Sequence, residues 1–284
     1  MRTSLLRIQY KTPEQVTKMR TAGLLVASTL AALRAAVAPG VTTAELDALA
    51  ERQIRAAGGV PSFLGYHGYP ASICSSVNSE IVHAIPSPKA VLREGDVISI
   101  DCGAILDGWH GDSAITVPVG EVRPDVRRMA TVAEDAMWAG IAAAARGVRS
   151  GRGRLTDISY AIQSSIRKAG RYGIVEGYGG HGIGSEMHQD PFVLNYGRPG
   201  KGPRLVPGLC LAIEPMLTLG RNKTVELDDG WTVVTADGSP AVHVEHTIAI
   251  CEDGVWVLTA ADGGRGRLGD LVAGPARQET PAQA

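Results

Sequence analysis

Four acidic residues lie at or inside strongly apolar, strand-like runs of this chain. Asp101 follows Val97-Ile-Ser-Ile100, and Asp112 precedes Ser113-Ala-Ile-Thr-Val117. Glu214 ends Leu209-Cys-Leu-Ala-Ile213, and Glu245 sits within Ala241-Val-His-Val-Glu245-His-Thr-Ile-Ala-Ile250. A buried carboxylate is costly unless it is paired or holds a metal. For one such acid taken alone, an ion pair with Arg or Lys is an ordinary outcome, and Asp101 and Asp112 could also be solvated on an exposed sheet face. Neither glutamate-bearing run offers a Lys or Arg, however, and four carboxylates together carry a charge that two divalent cations would cancel. Carboxylates bridging two close-set ions are the usual way to activate a water between them.

Spacing brings the first pair together. Asp107-Gly108 is a strong two-residue hairpin signal. With those residues as the turn, Leu106 faces Trp109 and Gly103 faces Asp112, so Asp101 shares a face with Asp112 as its diagonal neighbour, roughly 7–8 Å away at the backbone. A nitrogen donor is available from the glycine-rich run Gly179-Gly-His181-Gly-Ile-Gly184. Its loose G-x-G pattern is a weak phosphate-loop signal because no Lys follows. His181 is instead a credible metal ligand, with His188 seven residues on. His83, within Ile81-Val-His83-Ala-Ile-Pro86, is a further candidate proton or hydrogen-bond donor. A lone histidine is more often structural, so the case for these three rests on their company.

Four helices and several strands must carry these residues. Thr12 as N-cap with Pro13 at N1 predicts a first helix ending by Gly40. Further helices are predicted from Thr43 to Gly58, from Pro124 to Gly147 and from Thr156 to Gly170. Strands are predicted at Val97–Cys102, Ala114–Val117, Leu209–Glu214, Trp231–Thr235, Ala241–Ile250 and Val255–Thr259. An internal repeat relates the two halves. Arg55-Ala-Ala-Gly58 and Arg167-Lys-Ala-Gly170 each close a helix. Leu92-Arg-Glu-Gly95 leads to Asp101, and Leu205-Val-Pro-Gly208 leads to Glu214, six residues from glycine to acid in each case. Residues 1–12 read as a short arm, 13–261 as one domain with halves of about 13–120 and 121–261, and 262–284 as a disordered tail.

Composition removes several other classes of function. Lys+Arg 28 against Asp+Glu 29 leaves no strong field, which disfavours nucleic acid or an anionic membrane as partner. Four cysteines without C-x-x-C spacing suit reduced thiols in a cytoplasm rather than a disulfide framework or zinc site. The longest strongly apolar stretch, Thr21 to Leu33, is too short to cross a bilayer.

These motifs, in order and spacing over about residues 13–260, resemble the type I methionine aminopeptidases of the short bacterial form. The resemblance is carried by Gly65-Tyr-His-Gly-Tyr-Pro70, Val82-His83-Ala-Ile-Pro86, Ile100-Asp101 with His110-Gly-Asp112, Gly180-His181-Gly-Ile-Gly184, Ile213-Glu214-Pro-Met216 and Glu245-His-Thr247. It implies an α+β pita-bread fold, an antiparallel sheet backed by two pseudo-two-fold related helix pairs. It implies Asp101, Asp112, His181, Glu214 and Glu245 as metal ligands, with Asp112 and Glu245 bridging. The cofactor would be two divalent ions (Co, Mn, Fe or Zn), between which a donor set of one nitrogen and four carboxylates does not choose.

The resemblance further implies removal of the initiator methionine from nascent polypeptides whose second residue is small. Glu214 would shuttle the proton of the attacking water, His188 would polarise the scissile carbonyl, and His83 would hold the adjoining amide. Phe63, Tyr66, Tyr69, Cys74, Met187 and Trp231 would line the methionine pocket with His83 and His188, since aromatic rings and sulfur suit a thioether. Nascent N-termini are the expected partners, the ribosome that presents them is a candidate partner, and the chain is expected to be a cytoplasmic monomer. Two positions depart from the family pattern: Ala84, where glycine is frequent, and His243, where glutamine is common. A proline-specific peptidase of the same fold ranks second, because those enzymes usually carry a large N-terminal domain and about 12 residues precede the first helix here. A metal-free binding protein ranks lower, because such a relative would have lost ligands.

Overall fold

The computed structural model of the chain describes residues 7–273. Helix α1 spans Pro13–Ala36 and α2 spans Thr43–Ala56. Each opens with a capping box, Thr12 with Gln15 and Thr42 with Glu45, so two otherwise unpaired N-terminal groups are satisfied at each start. Pro39 lies just past the end of α1 and biases the chain before it away from helix, so α1 stops ahead of Gly40. The second pair, α3 (Pro124–Arg149) and α4 (Leu155–Ala169), lies where the spacing predicts.

In chain order the strands are β1 (Val60–Pro61), β2 (Ile73–Val77), β3 (Glu80–Val82), β4 (Val97–Leu106), β5 (Trp109–Pro118), β6 (Gly173–Ile174), β7 (Gly180–Gly182), β8 (Gln189–Val193), β9 (Cys210–Ile213), β10 (Met216–Thr218), β11 (Thr224–Glu226), β12 (Val233–Thr235), β13 (Ala241–His243), β14 (Glu245–Cys251) and β15 (Gly254–Val257). The main antiparallel sheet runs β1-β4-β5-β14-β9-β7-β8, with β2 on β4 and β15 on β14. Helices α1 and α2 bury Val26, Leu30, Leu46 and Ile54 against Ile98 and Ile100 of β4. Helices α3 and α4 bury Met129, Ile141, Ile158 and Ile162 with Leu211 and Ile248 of β9 and β14. Each half of the sheet is thus backed by its own helix pair.

The internal repeat is physical. Val41 and Leu92 are joined by the amide of Leu92 donating to Val41, while Thr43 donates to Ala90. In the second half Leu205 donates to Gly153 and Leu155 donates to Pro203. Matching isolated bridges, Thr42 with Val91 and Arg154 with Arg204, tie the start of α2 and of α4 to the segment leading into an acid-bearing strand.

Two expectations need correction. Residues 262–273 are ordered, not tail: Arg265–Leu268 is a helical turn, and Leu268, Val272 and Ala273 are buried in the core of the second half. Val272 bridges Val255, and the buried Arg20 guanidinium donates to the carbonyls of Leu258, Ala260 and Ala261. Three apolar side chains among glycines and charges show no period, although they cover the end of β15. The remainder of that tail, 274–284, and residues 1–6 of the arm lie outside the described residues. The predicted strand Ala241–Ile250 is also two strands, broken at Val244, whose amide donates to Pro215. Pro215 interrupts the partner run in the same place, between β9 and β10. Beyond these breaks β10 and β13 leave the main sheet and pair with one another, Met216 opposite His243. The sheet parts there, and the opening is the site.

Candidate active site and metal centre

The hairpin register places Leu106 opposite Trp109 and Gly103 opposite Asp112. Asp107 (φ 50°) and Gly108 (φ 79°) both take the left-handed conformation that a two-residue turn of this hand requires. Asp101 and Asp112 therefore share a face, and each carboxyl perturbs the titration of the other. The same diagonal relation recurs across the centre of the sheet. Glu245 lies opposite Ala114, two residues from Asp112, and the Thr247 hydroxyl donates to the Asp112 carbonyl at 2.7 Å. Glu214 follows β9 at the strand break, with its carbonyl accepting from Asn195 Nδ2 at 3.0 Å.

His181 closes the cluster from β7. Its Nδ1 lies 3.0 Å from the Gly182 carbonyl, which can only accept, so Nδ1 carries the proton and Nε2 keeps a lone pair. That Nε2 is 3.5 Å from Glu214 Oε1 and 3.8 Å from Asp112 Oδ2. Ligand atoms of Asp112, His181 and Glu245 all fall within 4.8 Å of one another. Burial, followed by repulsion from the neighbouring acids, pushes the Asp112 and Glu245 carboxyls well above the usual range. Burial does the same to Glu214 and takes Asp101 up to about 7. Burial also drives His181 down to about 3, so its imidazole is neutral.

Asp101 Oδ1, Asp112 Oδ1 and Glu245 Oε1 are buried without a hydrogen-bond partner. Of the described residues lining the surrounding cavity, only Arg7 is a Lys or Arg. Buried, unpaired, like-charged oxygens facing a bare imidazole nitrogen form a donor set that fits divalent metal.

The cavity has a volume of about 860 Å³, and every metal-ligand, catalytic and pocket residue expected from the sequence lines it. Phe63, Tyr69, Cys74 and Met187 form a buried cluster against which Tyr66 and Trp231 pack. Tyr69 meets Trp231 edge-on, ring centroids 5.0 Å apart, and its hydroxyl lies 3.0 Å from the Ile73 carbonyl and 3.1 Å from that of Ala84. His188 stands at the mouth, its Nδ1 2.8 Å from the Tyr66 hydroxyl and its ring 4.4 Å from that of His181. His83 has φ 61°, a strained conformation for a residue with a side chain, and burial lowers its pKa to about 4. Strain of this kind survives only where surrounding structure imposes it, and here it turns the imidazole to the cavity.

The model for metallopeptidase family M24 matches residues 17–252. The chain belongs to that family. A methionine aminopeptidase of Mycobacterium tuberculosis is 56% identical over 246 residues, covering 85% of this chain and 91% of that protein. The crystal structure of a methionine aminopeptidase from Rickettsia prowazekii superposes with a TM-score of 0.84 at 41% identity, covering 89% of this chain and 100% of that one. An Xaa-Pro dipeptidase from Bacillus anthracis shares the fold, with a TM-score of 0.67 at 21% identity, and this chain covers 61% of it. Within the family the likeness is therefore to the methionine aminopeptidases, and divalent-metal chemistry comes with it.

Three features of the site escaped sequence reasoning. His243 is not merely near the cluster: its buried Nε2 is 3.3 Å from Glu214 Oε2, because the break at Val244 turns β13 into the cavity wall. Tyr178 packs edge-on against His83 with centroids 5.9 Å apart, a contact no local pattern signals. Arg7 and Gln9 of the arm also line the cavity, brought there by contacts about 180 residues away along the chain.

Proposed function

We propose that this chain is a methionyl aminopeptidase that removes the initiator methionine from nascent polypeptides whose second residue is small. The observation that carries this reading is the meeting, in one cavity, of the acid–imidazole cluster with a slot walled by Phe63, Tyr69, Cys74 and Met187. An unbranched thioether suits such walls, since sulfur–aromatic contacts are favourable. A side chain branched at its γ carbon would collide with them.

Asp101, Asp112, His181, Glu214 and Glu245 would hold two divalent ions. Bound there, the ions supply Lewis acidity, easing deprotonation of a water and polarising the scissile carbonyl. The chain's own residues do the rest. Glu214 accepts the proton of the attacking water and returns it to the leaving amine. His188, free to present Nε2 because Tyr66 engages Nδ1, donates to the carbonyl oxygen as charge builds on it. His83, uncharged at neutral pH, orients the amide beyond the scissile bond. The substrate's free α-amine would be received by the charge held at this cluster once its ions are bound, which restricts cleavage to the first residue. An enzyme with this activity would work in the cytoplasm, on N-termini as they emerge from the ribosome.

A panel of short peptides tests the reading. Met-Ala and Met-Gly substrates should be cleaved, Leu-Ala poorly, and Met followed by a bulky residue hardly at all. A misfit of methylene size is worth about 10–200-fold in kcat/KM, so norleucine, being unbranched, should pass. Preference for Ala-Pro or Arg-Pro over Met-Ala would replace this reading with a proline peptidase.

A further inference from the structure

The loop that carries Met187 and His188 is held from outside by the N-terminal arm. Gln9 Nε2 donates to Ser185 Oγ at 2.9 Å, and Gln9 Oε1 accepts from Gln189 Nε2 at 2.9 Å. Lys11 is 5% exposed, and its Nζ donates to the Gln9 carbonyl at 2.9 Å and to Gln189 Oε1 at 3.1 Å. The Lys11 amide donates to the Gly208 carbonyl at 2.8 Å, which fixes the arm to the base of β9. Two further contacts, the Arg7 amide donating to Asp190 Oδ2 and the Ile8–Asp190 bridge, continue the seam onto β8. A side chain at Gly184 would overlap Gln9 Oε1 and the Lys11 stem, so the last glycine of the His181 motif is the space in which the arm lies.

Ser185 and Gln189 are the two ends of a short span with His188 inside it. His188 is exposed, and among the described residues its side-chain hydrogen bond is the one with Tyr66. Its backbone position depends on what grips the span: the arm at Ser185 and Gln189, the pairing of Gln189 with Gly182, and the burial of Met187. Burying an ammonium is expensive. Here the same ammonium ties a carbonyl of the arm to the amide of Gln189, which is a use for that cost.

We propose that residues 7–11 clamp the 185–189 span and thereby position His188, with Lys11 and Gln9 as positioning residues for the reaction. The inference rests on the reading of His188 as the donor to the scissile carbonyl. Misplacing a reacting group by about 1 Å can cost about 10²-fold in rate, so loosening one grip should cost about tenfold in kcat with KM little altered.

The experiment is a double-mutant cycle on metal-loaded enzyme with a Met-Ala peptide: Gln9→Ala, Lys11→Met, His188→Ala and the two doubles with His188→Ala. Bound metal is measured for each, and amide hydrogen exchange is followed over 185–189. The expected result is a lower kcat and faster exchange in both arm variants, unchanged metal content, and no further loss of kcat once His188 is absent. Gln9 is partly exposed, so Gln9→Ala carries the test if Lys11→Met does not fold. Arm effects that multiply with that of His188→Ala, or an unchanged kcat in Gln9→Ala, overturn the clamp alone. A near-native kcat in His188→Ala overturns the role of His188, and the inference with it.

Discussion

Asp112 and Glu245 occupy the two central strands of the sheet, one on each side of the line that relates its halves, and each has a buried oxygen without a protein partner. If each is shared by two ions, truncating either removes a ligand from both positions at once. Asp112→Ala and Glu245→Ala are expected to abolish turnover and leave at most one weakly held ion, as read by calorimetric titration with Mn or Co. Near-native turnover at full metal occupancy in either variant would refute a dinuclear centre. His188→Ala should behave differently, because His188 makes no contact with the acids. Loss of one transition-state donor costs roughly 10²–10³ in kcat, and bound metal should stay constant. The acids were legible in the sequence because a carboxylate in an apolar run stands out locally. A regular strand puts His243 on the face of Glu245, but its contact with Glu214 comes through a strand break that no periodicity announces.

At the scale of elements, the β4–β5 hairpin was readable almost residue by residue, since Asp107-Gly108 fixes the turn and the turn fixes the register. That register decides whether Asp101 and Asp112 face the cavity or the helices. Gly108 has φ 79° and open space around it, so a substitution there is penalised by backbone strain and not by a clash. Gly108→Val should destabilise the fold by about 1–2 kcal/mol. Gly108 lies four residues from Asp112, the nearest acid of the cluster, at the far end of the hairpin, so kcat and metal content should hold while the unfolding midpoint falls. A loss of metal with stability intact would mean that the register had slipped. Elements without a local signal were harder to read. The arm, the turn at 265–268 and the three-residue strands β10 and β13 are fixed by contacts remote in sequence, and tertiary packing alone gives them their place.

Across the whole molecule, two helix-backed halves converge to set like charges inside a protein, and the cost of that arrangement has a direction in pH. Asp101 is raised to about 7, and Asp112, Glu214 and Glu245 are raised well above the ordinary range, each chiefly by burial. An acid with a higher pKa in the folded than in the unfolded chain binds its proton preferentially when folded. Its contribution is therefore complete below the unfolded value and is lost as pH rises through the folded one. The buried histidines act the other way. His181 is lowered to about 3 and His83, His110 and His246 to about 4, so they cost stability as pH falls below their ordinary 6.5. Above about pH 6.5 the acids alone remain, and metal-free protein should lose thermal stability between about pH 6.5 and pH 8. Divalent ions bind the ionised carboxylates, so their stabilisation should grow over the same interval. Calorimetric unfolding with and without excess Mn at the two pH values measures both slopes, and Asp112→Asn should flatten the metal-free one. A metal-induced rise in Tm that is equal at both pH values, or larger at the lower one, would show that the ions bind somewhere other than this carboxylate cluster.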